Sequence, residues 1–324
     1  MNILTLINAL PGAAAQGLIW GIMAIGVYLT FRILDVADLT VDGTMCTGGA
    51  VCVMMLMSGH SVWVSMLAAT GAGMLAGLAT GIFPTFMGIP AILAGILTQL
   101  GLYSANLKIM GKANQAVNGN KFDLLVSLRN VKGVPFYQNT ILIVAVFIVV
   151  LIAILYWFFG TELGCSLRST GCNPNMSRAQ GINTNVCKVL GLMISNALVA
   201  LSGSLIAQLD YGSALVTMGQ GTIVIGLASV IIGEVIFIRK DMNFALKLLA
   251  ILAGAVIYRT VIACALTFSF LKATDLKIIT AVIVAFALAL PVLQQKSAER
   301  KLRRENAKKY DALITQALGG ETHA

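Results

Sequence analysis

The chain alternates between apolar runs of about twenty residues and short polar connectors. A hydrocarbon core about 30 Å thick takes about 20 helical residues to cross. On that ruler the pattern predicts membrane-spanning helices at 12–31, 62–83, 88–110, 139–160, 185–208, 217–238, 244–268 and 275–295. A further apolar segment, Thr40 to Ser58, is interrupted early by Asp42, Gly43, Gly48 and Gly49 and reads as a ninth, broken span. The expected fold is therefore all-α, a polytopic membrane helical bundle of about nine spans over 1–295, with a C-terminal tail over 296–324.

Composition agrees with a bilayer. Hydrophobic residues make up 58% of the chain and charged residues 11%, with a mean hydropathy of +0.89. A soluble domain carries about a quarter charged residues, and water would have to meet the apolar surface left over. The N-terminal stretch Met1–Leu6 has no basic residue ahead of its apolar run and no small-residue cleavage site, so it reads as an interfacial lead-in and not as a signal peptide. The net charge of +9 points to the anionic membrane surface and not to nucleic acid, because seven of the 22 basic residues fall between Lys296 and Lys309.

Short basic loops orient the bundle. Arg168, Arg178 and Lys188, then Arg239 and Lys240, then the tail, alternate consistently with a cytoplasmic C-terminus and an external N-terminus. Residues 111–138 go against the rule, since they hold Lys112, Lys121, Arg129 and Lys132 on the side expected to be external. The six cysteines show no CxxC or Cys/His metal spacing, and neither His60 nor His323 has a ligand-like neighbour. No metal site and no disulfide framework is expected.

A weak internal echo is present. The span 12–31 is followed by Asp38-Leu39-Thr40-Val41-Asp42-Gly43, and the span 185–208 by Asp210-Tyr211-Gly212 and Leu215-Val216-Thr217-Met218-Gly219. The two copies would face opposite sides of the membrane, the inverted repeat from which many transporters are built. Gly17 and Gly21, and Gly73, Gly77 and Gly81, recur at four-residue spacing, which lets helix backbones approach in lipid. Polar side chains at membrane depth are costly and face the protein interior or a wet path. Asp42, Gln99, Asn196, Glu234 and Arg259 are the candidates, as interhelical contacts or as pathway lining. Lys247 stands as the expected partner of Glu234, and Arg259 needs a partner or an aqueous cavity.

The polar connector Thr161 to Asn185 is the most informative stretch. Asn173 is a good helix N-cap, Pro174 suits the first helical position and Gly181 suits the end, so a short helix over 174–180 is predicted. Such a helix is either a lever for a cytoplasmic partner or a plain connector, and spacing alone leaves both readings open.

The pattern Leu167-Arg168-Ser169-Thr170-Gly171-x-Asn173, followed by Ala179-Gln180-Gly181-Ile182-Asn183, resembles the coupling loop of ABC importer permeases of the branched-chain amino acid and ribose type. The likeness continues through Ala200-Leu201-Ser202-Gly203 and through the run from Gly219 to Glu234, and is looser from Leu29 to Gly49, where family members often carry Asn-Phe-Ala-His-Gly. Within that superfamily the chain looks most like the branch labelled tryptophan/tyrosine transport systems. The resemblance implies that Leu167, Arg168, Gly171, Asn173, Pro174, Arg178, Ala179 and Gly181 form the coupling segment to a separate ATPase. It also implies an extracytoplasmic substrate-binding protein, a second permease subunit as homodimer or close homologue, and residence in the cell inner membrane. ATP would then be bound by the partner and no cofactor by this chain. Consistently, Gly111-Lys112 lacks the remainder of a phosphate loop, and no nucleophile elbow or HExxH occurs, so no catalytic residue is expected. Two other classes remain, an ion-coupled secondary carrier and a membrane scaffold without transport.

Overall fold

A computed structural model describes residues 3–117, 125, 140–238 and 242–266, with isolated positions between 278 and 306. Ten α-helices are defined among the described residues: α1 (Ile3–Tyr28), α2 (Val41–Met57), α3 (Val62–Phe86), α4 (Ala91–Met110), α5 (Thr140–Gly160), α6 (Glu162–Cys172), α7 (Pro174–Ala179), α8 (Thr184–Ile206), α9 (Thr222–Phe237) and α10 (Phe244–Leu266). The all-α expectation holds apart from a small antiparallel ribbon, β1 (Asn114–Ala116) with β2 (Ser213–Leu215), in which Gln115 faces Ala214.

Six of the described helices, α1, α3, α4, α5, α8 and α10, are long and apolar enough to cross a membrane unaided, against the eight expected spans that fall on described residues. The expected broken span at 40–58 is instead the continuous 17-residue helix α2, in which Gly43, Gly48 and Gly49 pack closely and leave the helix unbroken, and the span at 217–238 becomes the 16-residue α9. At 1.5 Å per residue each is about 25 Å long, short of the apolar thickness. The segment that should open the second of these, 217–221, forms turns that follow β2. The span at 275–295, the tail at 296–324 and Arg239 and Lys240 lie outside the described residues, isolated positions excepted.

Two helices form the centre. In α1 and α8, 78% and 72% of the most apolar window is buried, against 22% to 39% in the other four spans. The outer helices turn apolar side chains outward, as Leu67 and Leu75 of α3 and Val149 and Ile154 of α5 do. In lipid those faces are solvated, not stranded. The central pair runs antiparallel, Ser195 Oγ donating to Gly26 O at 2.7 Å and Ser202 Oγ to Ile19 O at 2.9 Å.

Around this pair the chain repeats itself upside down. Helix α2 runs parallel to α8, meeting it at Thr44–Asn196 and at Cys52–Gln208. Helix α9 runs parallel to α1, with Gly226 against Met23 and Val27 and Glu234 against Arg32. Helix α3 lies antiparallel on α8, and α10 antiparallel on α1. Both central helices end in a π-helical turn, Leu29–Ile33 and Ala207–Tyr211, each followed by a left-handed residue, Asp35 and Gly212. The echo in the sequence is thus an inverted repeat of helix, π-turn, re-entrant loop and short helix.

Small residues set the spacing. A Cβ on Gly77 would lie 2.4 Å from Leu192 O, and one on Gly17 2.7 Å from Val256 Cα. The glycine rows of α1 and α3 therefore serve the same purpose in the two halves, direct backbone contact with α10 and α8.

Candidate functional site

The two short helices begin inside the bundle, and their N-termini meet. Asp42, in the first turn of α2, accepts hydrogen bonds from Gly221 N at 2.9 Å, Thr222 Oγ1 at 2.9 Å and Ile223 N at 3.0 Å. Two of these donors are backbone N–H groups at the start of α9 and the third is the Thr222 hydroxyl, and a carboxylate there is stabilised by orphan N–H groups and by the helix dipole. Cys46, one turn further on, donates to Val216 O at 3.0 Å and accepts from Gly219 N at 3.1 Å. Gly219 approaches so closely that a Cβ there would lie 1.9 Å from Asp42 O. The re-entrant loop 216–221 is thereby clamped onto α2.

Beside this junction a second cluster ties α2 to α8 and α3. Asp38 is buried in the re-entrant stretch before α2, where it accepts from Thr40 N at 2.9 Å and from Asn196 Nδ2 at 2.7 Å. Asn196 Oδ1 accepts in turn from Thr44 Oγ1 at 2.7 Å, and Thr40 Oγ1 bonds Thr80 Oγ1 at 2.7 Å. Asn196 lies midway along α8, so this polar cluster sits near the middle of the bundle.

The five polar candidates therefore separate. Asp42 and Gln99 line one cavity of about 170 Å³ between α2, α4 and the 216–220 turn. Asn196 belongs to the Asp38 cluster behind it. Glu234 accepts from Arg32 Nε at 3.0 Å and also pairs with Arg32 Nη2. Its partner is therefore Arg32 and not Lys247, because packing α9 along α1 brings together residues that are 202 positions apart. Arg259 sits with its guanidinium 4.0 Å from the centre of the Trp20 ring, which gives it an aromatic partner. Asp38, Arg32, Cys46 and Asn106 were not singled out from the sequence. Asp38 alone carried a usable signal, an acid in an apolar stretch four residues before Asp42.

At the π-turn end of α1 lies the connector. Helix α7 covers Pro174–Ala179, with Asn173 Oδ1 accepting from Met176 N at 3.0 Å and Gly181 at φ +84°, as the capping residues foretold. The reading missed the eleven-residue helix α6 before it, capped by Thr161. Of the named connector residues, Leu167 is buried, and Gly171 touches the π-turn of α1 so tightly that a Cβ would lie 1.7 Å from Ile33 O. Arg168 donates to Phe159 O at 2.8 Å at the end of α5, and Arg178 to Thr184 Oγ1 at 2.8 Å at the start of α8. Asn175, Met176, Ala179 and Gln180 are left facing outward. Helices α6 and α7 are joined by Ser169 Oγ and Ser177 Oγ, 2.7 Å apart.

Among the described residues no group of three or more His, Cys, Asp or Glu is placed to hold a metal ion. The arrangement is one of helices, re-entrant loops and a polar junction at depth, which suits passage of a solute.

The similarities agree. The chain is 40% identical over 297 residues to the tyrosine transport system permease protein of Clostridioides difficile (strain R20291), covering 91% of this chain and 96% of that one. It is 26% identical over 270 residues to the fructose import permease protein FruF of Bifidobacterium longum (strain NCC 2705), covering 82% and 73%. To the galactofuranose transporter permease protein YtfT of Escherichia coli (strain K12) it is 30% identical over 191 residues, covering 57% and 52%. A solved structure, PsaBC from Streptococcus pneumoniae in complex with Fab, shares the fold at a TM-score of 0.51 and 15% identity, covering 88% of this chain and 95% of that one. The family described as branched-chain amino acid transport system / permease component matches residues 10–293, and the protein belongs to it.

Proposed function

We propose that this chain is the membrane subunit of an ATP-driven importer that carries a small solute, of the amino-acid class, inward through the cell inner membrane. Hydrolysis belongs to a separate cytoplasmic ABC ATPase, delivery to an extracytoplasmic binding protein, and the path is completed by a second permease subunit, most simply another copy of this chain. The end bearing α7 then faces the cytoplasm, and the 296–324 tail belongs to the same side by its basic charge. The amino-acid class rests on the name of the 40% identical relative.

The observation that carries the reading is the build of the connector. Helix α7 presents Asn175, Met176, Ala179 and Gln180 outward, while α6 behind it is wedged by Gly171 against the π-turn of α1. A push on α7 reaches α6 through the Ser169–Ser177 contact, then the π-turn that carries Arg32. Arg32 holds Glu234 of α9, and α9 starts on Asp42. One line of contacts thus runs from an exposed helix to the junction at depth.

The test is ATP-driven uptake in proteoliposomes containing the permease, its ATPase and its binding protein. Met176→Asp and Ala179→Pro should each cut uptake by about tenfold or more, equivalent to about 1.4 kcal/mol of coupling. The thermal unfolding of Met176→Asp should match the parent, because that side chain is exposed, whereas Ala179→Pro removes a backbone donor inside α7 and should disrupt that helix locally. Full uptake by both variants would sink the coupling role of α7.

A further inference from the structure

The cavity between α2, α4 and the 216–220 turn has a volume of about 170 Å³, a little above the roughly 150 Å³ that accepts a benzene ring in an engineered protein core. Its described walls include Asp42, Cys46, Gln99, Tyr103, Asn106 and Gln220. Two independent features mark it as shaped for a ligand. Asn106 is fully buried, and its Nδ2 reaches Gly43 O at 3.4 Å, yet its Oδ1 has no hydrogen-bond partner among the described residues. A buried acceptor left unpaired is a cost that an incoming donor removes.

The second feature is charge. Asp42 is the one charged side chain among the described wall residues. Its three bonds to the start of α9 fix the carboxylate in place. They occupy three of its roughly four acceptor positions, so one remains for a ligand. The start of α9, which would otherwise attract an anion, is already satisfied by this internal carboxylate. Tyr103 adds an aromatic ring to the same wall, a surface that favours cations. A fixed carboxylate, an unpaired amide oxygen and a ring together select a compact cationic donor.

We propose that this cavity is an intramembrane subsite for a primary ammonium group, with Asp42 and Asn106 as the residues that determine its specificity. The inference builds on the permease reading and names the end of the solute that the membrane subunit recognises. The solute then enters amino end first, the chain itself supplying the carboxylate that a helix N-terminus elsewhere takes from the substrate.

The experiment uses the full-length permease alone in lipid nanodiscs, without ATP or binding protein, and follows thermal unfolding against added ligand. Tyramine carries the amine without a carboxylate, and N-acetyltyrosine the carboxylate without an ammonium. Tyramine and tyrosine should raise the unfolding temperature in a saturable way, and N-acetyltyrosine should not. Asn106→Leu should raise the half-saturating concentration of tyramine by roughly tenfold or more, as expected for losing a hydrogen bond to a charged group. Should that variant fail to fold, Gln99→Ala and Tyr103→Ala at less buried wall positions should each weaken tyramine binding, and the comparison of analogues on the parent needs no variant. Equal protection by N-acetyltyrosine, no protection by either amine, or an unchanged tyramine dependence in the folded variants overturns the subsite. Loss of ATP-driven uptake by the complete parent assembly would instead overturn the importer reading, so the two failures are distinguishable.

Discussion

Asn196 stands where three helices meet, donating to Asp38 and accepting from Thr44. Neither partner has water to fall back on, and unpaired polar groups at that depth cost several kcal/mol in lipid. Asn196→Leu should therefore destabilise the protein by roughly 3 kcal/mol, read as earlier thermal unfolding of the purified variant; an unchanged transition would mean the cluster contributes nothing. The sequence marked Asn196 as a polar residue in an apolar run, and that much was legible. Its partner was not, because a hydrogen bond between positions 158 apart depends on how two helices are laid together. Glu234 teaches the same lesson. Lys247 was the near neighbour in sequence, whereas Arg32 is the near neighbour in space.

Local signals predict helices best where the local chain decides the matter. The cap at Asn173, the proline at 174 and the glycine at 181 placed α7 to within a residue, because capping is satisfied by groups within one turn. The start of α2 was legible to within a residue, and that of α9 was harder to read. The hydropathy of α9 resembles that of a full span, and what shortens it is the re-entrant loop that Asp42 and Cys46 hold against α2. Glycine in α3 shows the same division between local and tertiary control. Gly71 and Gly77 look alike in sequence, but a Cβ on Gly71 meets nothing within 4 Å and one on Gly77 would strike Leu192 O. Gly71→Ala should be neutral or mildly stabilising, since Ala is the better helix former. Gly77→Ala should cost about 1–3 kcal/mol by forcing α3 off α8, with chemical or thermal unfolding of the pair as the check.

At the scale of the molecule, Asp42 is one of several contacts between the inverted halves, beside Arg32–Glu234 and Ser195–Gly26, so a shift of one half against the other loads them together. In the proposed importer the shift is driven from outside the chain, through α7. Proteoliposomes holding the permease alone should then accumulate no amino acid under a proton or sodium gradient. Gradient-driven accumulation without an ATPase would instead favour the ion-coupled carrier.

The apolar runs fixed by themselves that this is a helical membrane bundle, because a segment of about twenty apolar residues has few stable places outside a bilayer. The capping residues fixed α7, and the motifs around it identified the family. The internal echo announced the inverted repeat, whereas the tertiary structure alone decided that two apparent spans are short helices meeting at depth and which polar side chains share a cavity. Hydropathy and capping act within a turn or a span of the chain. Helix depth and pairing arise from contacts between residues up to about two hundred positions apart, such as Arg32 with Glu234 at a separation of 202.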